Sequence, residues 1–555
     1  MSMISISGKN WILKKYDQKD ISFLKNNFLL DEITSKLLSI RKIKKEDIKS
    51  FLNPSIKNYL PNPNTLIDME KATQRTIKSI NIKEKVGIFG DYDVDGATST
   101  ALLGKYFTEL KIPYQIYIPD RKKEGYGPTI KSFKELIANG VKIIFTVDCG
   151  TLSFDAIDYA KKKNIDVIVL DHHQSEIDLP KAFSLINPNR FDDKSNLQYL
   201  CAAGVTFMFL VSINRELRII NWFSQKKINE PNLINYLDLV SLGTVCDVVP
   251  LIGLNRAIVK QGLKILKGKK NLGLKTLLDI CKIESNPSIY QLGVMLGPRI
   301  NSGGRVGKCS HGANLLLNTD PKSAFKLASE LDQFNKERQM LEKDLLQKLL
   351  NETKDYSIDP VLVLSGSNWH EGIIGIVAAR LKDKFNKPVI IISIDGQYGK
   401  ASARSIVGFD IGSVIIAATQ NKILLKGGGH KMAGGFSIDI KNIDKFKDFV
   451  CRKFQNVNED ISSEKPMYLD SILSPTALNL DFYNKVNNLA PFGSGNPEPK
   501  FIIENLKTIN GKIVGEKHIK SILIGLDGSS IKTIAFNAVE SGLGAYLLKK
   551  NNKTF

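Results

Sequence analysis

Paired thiols are missing from this sequence. Its six cysteines, Cys149, Cys201, Cys246, Cys281, Cys309 and Cys451, stand singly with no C-x-x-C spacing. That argues against a zinc site or a disulfide framework and leaves them as small buried hydrophobes. Long apolar runs are missing too, and nothing approaches the ~18 consecutive apolar residues of a bilayer crossing. The opening MSMISISGKNWILKKYD lacks the basic start, apolar centre and small-residue cleavage site of a signal peptide, so a cytoplasmic protein with no membrane partner is expected. Acidic residues are in deficit: 78 Lys and Arg face 57 Asp and Glu, a formal net charge of +21. Such an excess suits a polyanion such as nucleic acid, but general enrichment in Lys, Ile and Asn makes it permissive evidence only. A chain of 555 residues with 43% hydrophobic content is too long for one core and implies two to four globular domains.

One stretch demands a reason: KVGIFGDYDVDGAT, residues 85–98. A short apolar run ends in Gly90, carboxylates follow at Asp91, Asp93 and Asp95, and Gly96 opens a helical pattern. Carboxylates this close repel one another, so a fold that holds them together pairs them with cations or leaves them in water. A solvated acidic turn is the bland outcome. A calcium loop opens in the same way, but its twelfth position requires a bidentate Glu and here is Leu102. A metal site at the end of a buried strand remains.

The rest of the chain favours that option. Residues 1–55 read as a polar, helical segment without evident chemistry. From Lys85, β-branched runs alternate with helical patterns: VGIF, YQIYI, KIIFTV and VIVL are separated by helices near 98–110, 129–138 and 154–163. That alternation predicts a parallel sheet covered on both faces. VGIF runs into the three aspartates, KIIFTV into Asp148, and VIVL into Asp171, His172 and His173. Ligands of open α/β sheets bind beyond the strand C-termini, so these segments are expected to converge. A helix over 233–242 ends in GTVCDVVPL, which places Asp247 in an apolar setting, where a nearby cation would compensate its burial. The stretch GPRINSGGRVGKCSHG (297–312) reads as a Gly-rich loop, and Arg299, Arg305 and Lys308 equip it to hold phosphates. A long amphipathic helix over 321–354 precedes a second α/β unit that carries SNWHEG, SARS and GGGHKMAGG. Short strands from FIIENL onward suggest a small barrel of the OB type, which often binds single strands.

Together, Asp91, Asp93, Asp95, Asp148, His172, His173 and Asp247 make an oxygen-rich set with imidazole and no thiolate, suited to Mn²⁺ or Mg²⁺. The carboxylates outnumber the needs of one ion. Two ions roughly 3.5–4 Å apart, bridged by a shared carboxylate, would activate water and neutralise the leaving oxygen in an in-line displacement at phosphorus.

GDYDVDG, VDCG, LDHH and GTVCDVVPL, in this order, resemble the successive motifs of the DHH phosphoesterase superfamily. PDRKKEGYG (119–127), MLGPRINSGGR (295–305), SNWHEGIIGIVAARL (367–381), SARS (402–405), GGGHKMAGG (427–435) and PFGSGNPEP (491–499) resemble its RecJ family of single-strand-specific 5′→3′ DNA exonucleases. Three letters alone would be a weak signal, whereas the ordered set from about residue 60 onward is specific.

The resemblance implies that Asp93, Asp95, Asp148, His172 and Asp247 ligate two metals, with Asp148 as the bridge. Asp91 and His173 then line the site as ligand, supporting residue or proton-transfer partner. It also implies that Arg121, Arg299, Ser402 and Arg404 hold phosphates of the strand, with Arg305 beside them in the Gly-rich loop, and that His430 meets the nucleotide near the cleavage point. The expected architecture is α/β: a parallel-sheet DHH domain and a DHHA1 domain joined by a long helix, plus a C-terminal OB-like barrel. The boundaries read 1–55, 56–260, 261–355, 356–460 and 461–555. Two departures stand out. Ser302, Gly303 and Gly304 replace a small apolar pair, which implies a looser loop, and the barrel strands stop after Asn537, which implies weaker DNA binding by that domain.

Removal of mononucleotides from the 5′ end of single-stranded DNA, in repair and recombination, is the leading expectation. The protein would be a monomer fed by single-strand-binding or helicase partners. A DHH phosphodiesterase acting on short oligonucleotides or cyclic dinucleotides is the alternative, and the basic charge and extra barrel argue against it. A non-catalytic nucleic-acid binder is the third, disfavoured because every acidic position is filled.

Overall fold

The β-branched runs form a five-stranded sheet, in the order Tyr114–Tyr117, Val86–Gly90, Ile143–Val147, Asp166–Leu170, Ser184–Ile186, with every pair parallel. Val86–Gly90 and Ile143–Val147 are buried at each position, as a sheet covered on both faces requires. The crossover helices are Val94–Glu109, Ile130–Ala138 and Phe154–Lys162. Phe89, Phe133, Leu136, Ile144, Ile157 and Val169 make one core beneath this sheet. Chain direction across the sheet reverses at Val86–Gly90: one crossover leads to Tyr114–Tyr117 and the next returns to Ile143–Val147 on the opposite side. The crevice where ligands bind in such sheets therefore opens between the ends of Val86–Gly90 and Ile143–Val147.

This description comes from a computed structural model covering residues 2–6, 8–284, 286–352, 359–456 and 465–549. The chain divides into two units: Leu60–Val249 with Gln261–Ile461, and Met1–Tyr59 with Pro250–Lys260 and Ser462–Phe555. No helix among the described residues is long and apolar enough to cross a membrane.

Within the first unit, the helix Pro321–Glu352 runs for 32 residues and leads to a second five-stranded sheet. Its order is Lys426–His430, Ala433–Asp439, Tyr398–Arg404, Val389–Asp395, Leu362–Ser367. Only the last pair is parallel. Leu345 and Leu349 of the long helix join Ile373, Val377, Leu381 and Ile391 in one apolar cluster. Buried Arg338 donates to Glu342 at 2.7 Å and to Asn335, and Arg380 from the next helix also donates to Glu342. Charges can be buried here because their hydrogen bonds are satisfied.

One expectation fails in this region. The Gly-rich stretch is no loop: Gly297–Val306 is an α-helix. A Cβ on Gly303 would stand 2.7 Å from the Lys308 carbonyl oxygen, and one on Gly304 would stand 3.0 Å from the Tyr92 ring. These glycines thus permit close packing, and helical N–H groups spent on the backbone ladder are not available to cradle phosphate.

In the other unit, helices Gln18–Phe28, Glu32–Ile40 and Ile48–Leu52 are accompanied by strands Ser2–Ile4 and Lys9–Leu13, the latter pairing in parallel with Lys465–Leu469. Arg256, 1% exposed, donates to the carbonyls of Phe51, Leu489, Ala490 and Pro491 with its guanidinium 3.9 Å from the Phe51 ring centroid. Pro250–Lys260 belongs with the terminal segments for that reason. Lys507–Val514, His518–Ile524 and Ser530–Ala535 form an antiparallel sheet, and AYLL lies in the helix Gly542–Leu548, packed on Ile519 and Ala538.

Candidate metal centre and phosphate-binding cavity

The acidic loop after Val86–Gly90 owes its shape to helix capping. Asp93 is the N-cap of Val94–Glu109 and accepts from the Gly96 N–H at 3.0 Å. Gly96 must be glycine, because a Cβ there would lie 2.5 Å from the Asp91 carbonyl oxygen. Asn301, from the helix that replaces the expected loop, accepts from the Val94 N–H at 3.1 Å. Asp95 accepts from Ala202 and Ala203 N–H groups at 2.6 and 2.9 Å. These are the first N–H groups of Ala202–Ile219, a helix whose own N-cap residue, Cys201, supplies no side-chain bond. A carboxylate suits that positive helix end.

Seven expected side chains meet at the crevice. His172 Nε2 lies 3.3 Å from Asp148 Oδ1, 3.6 Å from Asp247 Oδ2 and 3.8 Å from Asp95 Oδ2. Three overlapping groups, Asp91–Asp93–Asp148, Asp95–His172–Asp247 and Asp148–His172–His173, each bring ligand atoms within 4.8 Å of one another. Asp148 and His172 each belong to two of them. Asp91 Oδ1, Asp148 Oδ1 and His172 Nε2 are buried with no hydrogen-bond partner, which is costly unless a cation completes them. The donor set has oxygens and imidazole, while the nearby Cys149 and Cys246 sulfurs face backbone carbonyls. A hard divalent ion fits.

Electrostatics agree. Burial, followed by repulsion from Asp93, pushes the Asp91 carboxyl well above its usual range. Burial with Asp93 and Asp95 does the same to Asp148, and burial is again the main cause for Asp95. Asp247 is pushed up to about 8 by burial and then by Asp95 and Asp93. Carboxylates this reluctant to ionise together require countercharge.

Asp171, not among the expected site residues, organises the histidines. It accepts from Thr151 Oγ1 at 2.6 Å, from the His172 N–H at 2.8 Å and from His173 Nδ1 at 2.7 Å. Burial disfavours its charge, but these bonds, His173 foremost, hold it below the usual carboxylate range. Burial likewise opposes the His173 cation, yet Asp171 outweighs it and lifts His173 to about 9. Asn187 Nδ2 reaches the His173 carbonyl at 2.8 Å, and Asn189 donates to the His172 carbonyl. Its signals in the sequence are its place just past the VIVL run and beside the histidine pair.

Beside the metal cluster lies a cavity of about 730 Å³ lined by Tyr92, Arg121, Tyr126, Arg305, Ser402 and Arg404, among others. Ser402 and Arg404 alternate along Tyr398–Arg404 and so share a face, with Arg404 Nη1 donating to Ser402 Oγ at 3.1 Å. Arg121 sits over the Tyr92 ring, 5.4 Å from its centroid. Arg305 donates to the Gly372 carbonyl and is held down to about 10 by burial and then by Arg121, Arg338 and Arg404. Among the described residues, no carboxylate pairs with Arg121, Arg305 or Arg404, although Glu371 in the same wall pairs with Lys400. Clustered guanidinium groups without ion-pair partners are what a phosphate site presents.

Two expected residues are elsewhere. Arg299 is ion-paired with Asp332 at 2.9 Å and does not line the cavity. His430, exposed at the end of Lys426–His430, does not line it either.

Three family descriptions match the chain: the DHH family N-terminal domain over residues 85–244, the DHHA1 domain over 359–456, and the RecJ OB domain over 469–553. The single-stranded-DNA-specific exonuclease RecJ of Dickeya dadantii is 34% identical over 82% of this chain and 81% of that protein. Its Escherichia coli counterpart is 34% identical over 88% and 86%. The crystal structure of Thermus thermophilus RecJ in complex with Mn²⁺ superposes with a TM-score of 0.78 at 25% identity, over 94% of this chain and 73% of that one. The corresponding Mg²⁺ complex gives 0.73. With most of the acidic crevice, both flanks of the cationic cavity and the small C-terminal sheet on matching domains, and with these relatives matching over four fifths of the chain, the chain belongs to the RecJ family within the DHH phosphoesterases.

Proposed function

We propose that this chain is a metal-dependent 5′→3′ exonuclease that hydrolyses single-stranded DNA to mononucleotides, in repair and recombination. The observation that carries this reading is the adjacency, within one unit, of an acid and imidazole cluster with unpartnered ligand atoms to a cavity walled by arginines that lack acidic partners. Asp91, Asp93, Asp95, Asp148, His172 and Asp247 would hold two divalent ions, Mn²⁺ or Mg²⁺, with Asp148 shared. When bound, such ions supply Lewis-acid polarisation of the scissile phosphate and neutralise charge on the departing oxygen.

The chain's own side chains do the rest. Arg121, Arg305, Ser402 and Arg404 take phosphates of the strand, the 5′-terminal one included, through charge-assisted bonds that a planar guanidinium makes in pairs. Asp171 fixes the His173 ring through Nδ1, and Nε2, 3.3 Å from the Tyr126 hydroxyl, is the ring atom for proton transfer to the departing oxygen. The small antiparallel sheet of the other unit is read as a further strand-binding surface. A monomer in the cytoplasm, supplied by single-strand-binding or helicase partners, completes the reading.

The test uses 5′-labelled and 3′-labelled single strands and a blunt duplex, each with Mn²⁺. Labelled mononucleotide is expected first from the 5′-labelled strand, with the duplex spared and Asp148→Ala inactive. Equal loss of the duplex, 3′-first release, or activity in that variant sinks the proposal. Faster turnover of a dinucleotide than of a long strand would favour a short-oligonucleotide phosphodiesterase instead.

A further inference from the structure

Tyr126 connects the cavity wall to the metal cluster. It is flanked by Gly125 at φ +84° and Gly127 at φ +80°, a backbone that glycine adopts without penalty. A Cβ on Gly125 would meet nothing within 4 Å, so that glycine serves conformation alone. Tyr126 lines the cavity and is 53% exposed, while its hydroxyl is engaged at the metal cluster. It donates to the Asp148 carbonyl at 2.9 Å and lies 3.2 and 3.3 Å from the two His173 ring nitrogens.

Asp148 needs such a partner. Its φ of +61° is uncommon for any residue but glycine and persists only where surroundings enforce it. Its N–H is bound to the Leu170 carbonyl at 3.0 Å, and the Tyr126 hydroxyl closes the other side of the same residue. The carboxylate so aimed is one of the two side chains common to more than one ligand group.

We infer that Tyr126 is a positioning residue: through its hydroxyl it holds Asp148 in the left-handed conformation that presents the shared carboxylate, and it thereby ties the cationic loop that begins at Arg121 to the metal site. A tyrosine serving only as a platform for a nucleotide base would use its ring and leave the hydroxyl idle. The inference rests on the metal-dependent reading above. It predicts a division of labour in which the ring governs strand binding and the hydroxyl governs the metal site.

The test is Tyr126→Phe in the full-length chain. Mn²⁺ binding is followed by electron paramagnetic resonance of the free ion, and kinetics use a 5′-phosphorylated single strand. Loss of one supporting partner of a metal ligand should weaken Mn²⁺ binding and lower kcat by about tenfold each, with KM for the strand changed by less than about twofold. Gly125→Ala, which adds no side-chain contact, should shift Mn²⁺ affinity the same way and serves as the arbiter if Tyr126→Phe melts early. Wild-type Mn²⁺ affinity in both variants, or a rise in KM with kcat unchanged, overturns the inference while leaving the exonuclease reading intact. A parent protein that neither binds Mn²⁺ nor cleaves the strand overturns both.

Discussion

The Arg305 guanidinium donates to the Gly372 carbonyl at 2.9 Å, so a residue of the helix Gly297–Val306 is anchored at the start of the helix Glu371–Phe385 while its charge stays in the cavity. Arg305→Ala should therefore raise KM for single-stranded DNA about tenfold or more, the scale of one lost charge-assisted bond. It should also flatten the dependence of log affinity on log salt by about 0.7. Titration of binding between low and moderate salt measures both. Arg299→Ala, whose partner is Asp332, should leave that slope unchanged.

Asp148→Ala should abolish hydrolysis yet raise the Tm of the metal-free protein. Asp148 is 2% exposed with an unpartnered carboxylate oxygen, and deleting a buried carboxyl crowded by Asp93, Asp95 and Asp91 relieves the native state. Calorimetry in EDTA and again in Mn²⁺ checks this, with the ion stabilising the parent more than the variant.

The Asp247 carboxyl, held up at about 8, contributes stability that is present in full below its unfolded value near 4 and is lost as pH rises through about 8. Asp247→Asn cannot ionise. In EDTA its Tm should pull ahead of the parent as pH goes from about 6 to about 9, and a gap that narrows over that range would contradict the assignment. Protons and metal compete for the same oxygens, so Mn²⁺ affinity of the parent should climb over the same interval.

Arg256→Ala should destabilise the unit built from the two chain ends and Pro250–Lys260 by about 3–5 kcal/mol. It takes a donor from four carbonyls, those of Phe51, Leu489, Ala490 and Pro491, of which Leu489 and Pro491 keep Asn496 Nδ2, and it empties a buried volume. Hydrogen exchange should show that unit losing protection while the parallel sheet of the other keeps its own.

Much of the acidic crevice is legible in the sequence because its signal is local. An apolar run that ends in acids, repeated at Gly90, Val147 and Leu170, has one physical meaning in a parallel sheet: the strand C-termini share an edge. Asp247 was legible for a related reason, since an acid in GTVCDVVPL has few ways to escape an apolar setting. Where the structure departs from the expected picture at the glycines and arginines, the reason is partnership. Glycines at 303 and 304 looked like a flexible loop, yet their lack of a side chain admits the Lys308 carbonyl and the Tyr92 ring. Arg299 and Arg305 looked equivalent, and only the placement of Asp332 separates them.

The sequence by itself determined the fold class, the acid and histidine set and the preference for a hard divalent ion, because periodicity, strand ends and donor chemistry are properties of residues and their near neighbours. Tertiary structure decided which arginines keep an unpaired charge, that Asp171 rather than solvent orients His173, and that Tyr126 braces Asp148 across 22 positions of chain. Those outcomes depend on groups distant in sequence meeting at hydrogen-bond range, and a linear spacing does not encode who meets whom.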